Sequence, residues 1–161
     1  MGVLPEPVEE ALNSALVGEF TVVNAEGRPI THPMIPLYDG DRIYLHSSVL
    51  FSKKLEHIKA NPHVTLAITD LTATHGEPMK HRVTIQGDAV VVDRDPHQDW
   101  ERVLPLWIKK EPIVEKFFKL RVALPLFWER GLIEVRPRKV LLWEGGDTTK
   151  PPKVYEMAGA Q

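Results

Sequence analysis

The run Ser47-Ser48-Val49-Leu50-Phe51-Ser52-Lys53-Lys54 gathers three hydroxyls and two ammonium groups in one short stretch. Ser52 reads as an N-cap, and Leu55, Ile58 and the Asn61-Pro62 stop complete a short amphipathic helix. Lys53 and Lys54 then fall in its first turn, where the helix dipole is already positive and a cation is mildly unfavourable. A bound anion resolves the conflict, because free backbone N–H groups, hydroxyls and ammonium groups together make a phosphate cradle. Two solvated surface lysines are the plainer reading, and spacing alone does not separate the two.

Other chemistries find less support. Seven histidines, His32, His46, His57, His63, His75, His81 and His97, raise the question of a metal. No H-x-x-x-H pair falls on a convincing helix and no H-E-x-x-H motif occurs, so no metal site is expected. Gly145-Gly146 lies beyond the last apolar run and makes no nucleotide loop, and nothing matches G-x-S-x-G. No catalytic residue stands out. The chain has no cysteine, which excludes disulfides, thiolate ligands and a Cys nucleophile. A net charge of −2 argues against nucleic acid as a partner. No apolar run approaches the ~20 residues of a membrane span. Met1-Gly2-Val3-Leu4-Pro5 does not open a signal peptide, so a cytoplasmic protein is expected.

The elements that must position these groups are mostly strands. Pro5 to Val17 reads as a helix ended by Gly18, after which the apolar period changes from 3.6 to two. Phe20-Thr21-Val22-Val23 is a strand. Ile30 to Tyr38 is a second, which Pro29, Pro33 and Pro36 confine to an edge or a bulge. Asp39-Gly40 before Ile43-Tyr44-Leu45 signals a hairpin. After the lysine helix, Val64 to Thr69 is a buried strand. His81 to Val92 is a long one, with Val83, Ile85, Ala89 and Val91 on one face and Arg82, Thr84, Gln86 and Asp88 on the other. A helical insert from about residue 95 to 130, split by Pro105, Pro112 and Pro125, carries Trp100, Trp107, Phe117, Phe118, Leu124, Phe127 and Trp128. That cluster suits a core or a dimer interface better than a ligand box. Gly131 to Trp143 closes the fold before a tail at 145–161. The expected architecture is mainly β: one domain over 1–161, a six-stranded antiparallel barrel with flanking helices. The wet face of the long strand and the lysine helix should border one cleft.

Gly27-Arg28-Pro29 and the run Pro33 to Ser48, with its Tyr38-Asp39-Gly40-Asp41-Arg42-Ile43-Tyr44-Leu45-His46 core, resemble the flavin-binding split-barrel family of pyridoxamine 5'-phosphate oxidase. That family carries "G-R-P … Y-D-G-D-x-I-Y-F-H-T", then "S-R-K … N-P-x-V", matched by Ser52-Lys53-Lys54 and Asn61-Pro62-His63-Val64. Val83-Thr84-Ile85-Gln86-Gly87-Asp88-Ala89 is similar to its "V-x-V-x-G-x-A" strand. The likeness covers roughly residues 15 to 95 and returns at the closing strand.

The resemblance implies FMN at a homodimer interface, acting on an unknown small-molecule substrate. Its phosphate would lie among Ser47, Ser48, Lys53 and Lys54, with Ser52 capping the helix and His46, just before them, in the same cofactor-binding set. Its ring would face Thr31, His32, Pro33, Met34, Ile35 and Pro36, with Arg82 reaching it from the long strand. Lys53 stands where the family commonly has Arg, a point charge in place of a bidentate fork. Thr31 and Pro36 replace basic residues of the oxidase, and its C-terminal R-x-H signature has no match after Trp143. A paralogous FMN-dependent oxidoreductase therefore fits better than the oxidase itself. A carrier or sensor of FMN without turnover, a deazaflavin protein, and a haem protein using His32 or His46 stay open beside it.

Overall fold

Alternating apolar residues draw most of the chain into one antiparallel sheet, seen in a computed structural model that describes residues 3–48, 52–95, 98–99, 101–119 and 130–157. Helix α1 (Glu6–Ser14) leads into β1 (Gly18–Val23), β2 (Pro29–Met34), β3 (Leu37–Tyr38) and β4 (Ile43–Ser48). Then come α2 (Lys54–Ala60), β5 (His63–Ile68) and the long β6 (Arg82–Val92). A 3-10 turn at Glu101–Val103 precedes α3 (Leu104–Lys110), α4 (Val114–Lys119), β7 (Arg130–Trp143) and β8 (Lys153–Glu156).

The strand order is β2-β1-β5-β6-β7-β4-β3, with β8 pairing the second half of β7. Its two ends, β2 and β3, are joined by Ile35-Pro36 alone. Met34 and Leu37 can then be at most about 11 Å apart. A sheet whose ends are tied so closely cannot lie flat; it curls into a barrel closed by the chain rather than by hydrogen bonds between β2 and β3. The mainly β barrel with flanking helices is as expected, but it has eight strands among the described residues rather than six. Pro36 has no N–H to give a ladder, so the expected strand from Ile30 to Tyr38 breaks there and changes partner. Its first part pairs β1 and its second pairs β4. Pro29 and Pro33 lie in β2, which has β1 as its one partner and is an edge, as prolines require. β8, four residues after Pro151-Pro152, is too short to show a period. Helix α1 also stops earlier than Val17: Ala15 is already extended, and Gly18 opens β1.

The hairpin between β3 and β4 is built by its own side chains. Gly40 takes φ 104°, a conformation costly for other residues. Asp39 accepts the backbone N–H groups of Asp41 and Arg42 at 2.9 Å and the Tyr44 hydroxyl at 2.8 Å. On β6 the expected alternation holds: Val83, Ile85 and Ala89 are buried, while Gln86 and Val90 are exposed. The ladder to β7 shifts register between Gln86 and Gly87. A Cβ on Gly87 would lie 2.4 Å from the Arg136 carbonyl oxygen, so the close approach needs glycine.

The main core fills the barrel with Phe20, Val22, Leu45, Leu66, Ile68, Val83, Ile85 and Ile133, and α1 and α2 add Leu12, Leu55 and Ile58. A second cluster joins Tyr44 and Leu132 to Val103, Trp107 and Val114, so α3 and α4 cover the opposite face of β4 and β7. Trp107, 6% exposed, is core, as its composition suggests. Trp100, Leu124, Phe127 and Trp128, the side chains of Phe117 and Phe118, and the end of the expected helical insert lie outside the described residues. Helix α2 contradicts the expected cleft. Leu55 and Ile58 share the core with Val83 and Ile85, so α2 packs on the apolar face of β6, away from its wet face.

Candidate functional site

The pleat of β4 decides which groups meet. Ile43, Leu45 and Ser47 point into the barrel, while Tyr44, His46 and Ser48 point to the other side. Ser47 is 5% exposed, and Lys54 donates from Nζ to its Oγ at 3.1 Å. Burial lowers the pKa of Lys54. His32 belongs to the inward set of β2 with Ile30 and Met34. Its pKa is lowered by burial, then by the charges of Lys54 and His57. One hydroxyl, one ammonium and two imidazoles therefore converge where β4 ends and α2 begins.

Ser52 is not the helix cap. Lys53, in αR conformation, holds the N-cap position and brings no capping hydrogen bond, so α2 starts one residue later than a Ser52 cap would place it. Ser52 Oγ is buried and finds no partner among the described residues. A buried hydroxyl left unpaired is costly. With seven residues, α2 has only a small dipole, so side chains define the place more than the helix end does. Lys53 itself is exposed.

On the other side of β4 is a different environment. Arg130, whose backbone pairs with Ser48, donates from a terminal nitrogen to His46 Nδ1 at 3.0 Å. The His46 ring lies 4.1 Å from that of Trp107, over which the Arg130 guanidinium sits at 5.3 Å. Trp107 donates from Nε1 to Glu111 at 3.2 Å. Burial, and then the Arg130 charge, push the His46 pKa down to about 3. The ring is neutral, with its proton on Nε2, an enclosed nitrogen that has no partner among the described residues.

The sequence-derived set is thus divided. Ser47, Lys54 and His32 come together, with Ser52 and Lys53 at the adjoining helix start, whereas His46 and Ser48 face away. Thr31 and Pro33 lie on the exposed side of β2, where Thr31 pairs its hydroxyl with that of Thr21 at 2.8 Å. Met34 is core, and Ile35-Pro36 is the strand break. Arg82 is distant within one chain. It pairs in register with Trp143, whereas Ser48 pairs with Arg130, roughly 40 Å away along β7. Its guanidinium donates to the carbonyls of Thr69, at 3.0 Å, and Gly146. His57 has no place in the sequence-derived set, yet the i, i+3 step from Lys54 puts the two on one helical face. Trp107 and Arg130 meet His46, and Glu111 meets Trp107, only through tertiary folding, and no local pattern announces them. Cavities of about 500 and 510 Å³ open elsewhere, beside α1 and on the outer face of β1, β5 and β6.

The curled sheet, its chain-tied edges and the helix at the barrel mouth define a split-barrel protein. Residues 4–144 match the family described as pyridoxamine 5'-phosphate oxidase, and the chain belongs to that family. No curated protein matches the sequence. Solved structures share the fold. An F420 reductase does so at 22% identity and TM-score 0.61, over 85% of this chain and 98% of that one. General Stress Protein 26 from Bacillus anthracis does so at 14% identity and TM-score 0.62, over 94% and 96%. The haem storage protein HutZ from Vibrio cholerae does so at 18% identity and TM-score 0.59, over 89% and 95%. At these identities the likeness is one of fold. No helix among the described residues is long and apolar enough to cross a membrane.

Proposed function

We propose that the protein binds FMN as a homodimer and works as an FMN-dependent oxidoreductase. The observation that carries this reading is the part-buried Ser47–Lys54 pair, flanked by His32 and His57 and adjoining a Ser52 hydroxyl that has no partner among the described residues. A phosphate monoester would satisfy these groups together, accepting from the ammonium and the hydroxyls and setting a negative charge opposite Lys54. FMN supplies the electron-transfer chemistry when bound, and the protein is left to bind, orient and exclude water. That division fits a chain in which no nucleophile–base pair stands out.

Haem fits these residues less well. An axial histidine offers the lone pair of one ring nitrogen while the other donates its N–H outward. Arg130 donates to Nδ1 of His46, so the proton sits on the nitrogen that a metal would need. His32 makes no hydrogen bond among the described residues that would orient its ring, and the Lys54 charge acts on it.

The test is the visible spectrum of the purified protein, followed by titration with FMN and with riboflavin, which lacks the phosphate. Tight FMN binding with weak riboflavin binding is expected, and reduction of the flavin by NADH or NADPH with turnover would separate an enzyme from a carrier. A colourless protein that ignores added FMN would refute the reading.

A further inference from the structure

A cavity of about 500 Å³ lies between the later turns of α1, the connection 74–81 and the end of α3, and none of the residues around Lys54 lines it. That volume suits a small ligand. Lys80, Lys109 and Lys110 contribute to its wall, with His75 and His81 beside them. The carboxylates of Glu10 and Glu77 are fewer, although the whole chain carries a net charge of −2.

Lys110 gives this excess its meaning. Its ammonium is largely buried and donates to the carbonyl of Leu12 at 2.5 Å and to that of Pro36. Burial pushes its pKa down to about 8. Among the described residues no carboxylate forms an ion pair with it, nor with Lys80 or Lys109. Carbonyls satisfy N–H donors but do not neutralise a charge; the Glu111 carboxylate acts on Lys110 without forming an ion pair, and a buried cation that is only partly compensated is costly. The last turn of α1 supplies only a partial negative charge. A cavity walled by this lysine is therefore a place where an anion would be welcome.

We propose that this cavity binds a small organic anion, a carboxylate or phosphate monoester on a compact apolar body, with its charge turned toward Lys110. The site does not depend on flavin binding. Met79, 7% exposed, lines the same cavity, so its methyl signal in an NMR spectrum of the full chain reports entry of a ligand.

The test titrates the protein with phenyl phosphate, benzoate and the neutral benzyl alcohol. The Met79 methyl should shift saturably with at least one anion and not with the alcohol, and the anion that saturates first identifies the preferred group. Replacing the exposed pair together, Lys80→Gln with Lys109→Gln, should weaken the anion by about 2- to 30-fold. Lys110→Met should weaken it further, but it also removes a partner of two carbonyls, so the exposed pair is the decisive variant. The Lys54→Ala variant should bind FMN more weakly and keep the Met79 response, which separates this site from the flavin reading. The proposal is overturned by a silent Met79, by an equal response to benzyl alcohol, by unchanged affinity in the double variant, or by loss of the response in Lys54→Ala.

Discussion

Lys54 and Lys59 lie on the same short helix and do different work. Lys54 donates into the barrel to Ser47, whereas Lys59 pairs with Asp93 at 2.5 Å on the surface. Lys54→Ala should therefore weaken FMN by the cost of a charge-assisted hydrogen bond, roughly 1.5–3 kcal/mol. That is about 10- to 150-fold in affinity. Lys59→Ala should leave FMN affinity nearly unchanged and cost at most about 1 kcal/mol of stability, as an exposed pair does. Parallel FMN titrations decide it, and equal losses in the two variants would place the phosphate elsewhere.

His46 makes a prediction about pH. Its pKa falls from 6.5 to about 3 on folding, first because burial disfavours the charged ring and then because Arg130 repels it. Between these values the unfolded chain binds a proton that the folded chain refuses, so stability is complete above about pH 6.5 and declines as the pH falls toward 3. The loss from this one group should reach a few kcal/mol, at 1.36 kcal/mol per unit. His46→Gln keeps an acceptor for Arg130 and cannot titrate. Urea midpoints measured across that range should decline less steeply in the variant than in the parent. Matching slopes would show that His46 is protonated as readily folded as unfolded.

At the scale of elements, the register shift opposite Gly87, where β7 carries the extra residue Arg138 against Gln86-Gly87 of β6, is the sharpest case. Gly87→Ala places a Cβ 2.4 Å from the Arg136 carbonyl oxygen, and a backbone atom cannot swing aside as a side-chain tip can. Such overpacking costs about 1–3 kcal/mol. Gly76→Ala meets nothing within 4 Å and needs no positive φ, so it should be neutral or stabilise slightly. Denaturant midpoints of the two variants should separate clearly, and similar midpoints would mean that β6 and β7 can part at no cost.

The same strand shows what could be read in advance. Alternation along β6 named its buried and wet faces because one face of it is core. The prolines of β2 named an edge for an equally local reason. Periodicity could not say on which side of the sheet α2 would pack, since Leu55 and Ile58 fix only which helix face is buried. The family resemblance groups His46 with Ser47, although adjacent strand residues point to opposite faces, a split that the pleat alone announces. The partners of His46, by contrast, come from an insert whose fold no short-range pattern dictates.

Arg82 raises the question of the whole molecule. The family resemblance sets it beside the flavin, yet in one chain it stands at the far end of β7 from the strand end that carries Ser47. Both can serve one cofactor if Lys54 comes from one protomer and Arg82 from its partner, in a two-fold dimer with two equivalent sites. The shared-site arrangement predicts complementation. Lys54→Ala and Arg82→Ala homodimers should each bind FMN weakly. In a hybrid dimer carrying one chain of each kind, one site has both changes and the other has neither. Mixing the two variants under conditions that exchange subunits should thus restore full-affinity binding to about one site in four, if the chains pair at random. FMN should also hold the dimer together on dilution, because a ligand touching both chains stabilises the form that binds it. Sedimentation with and without FMN, together with titration of the mixture, checks both points. A mixture that binds no better than its components, or a dilute monomer that binds FMN as tightly as the dimer, would confine the site to one chain and leave Arg82 as the strut between Thr69 and Gly146 that its hydrogen bonds describe.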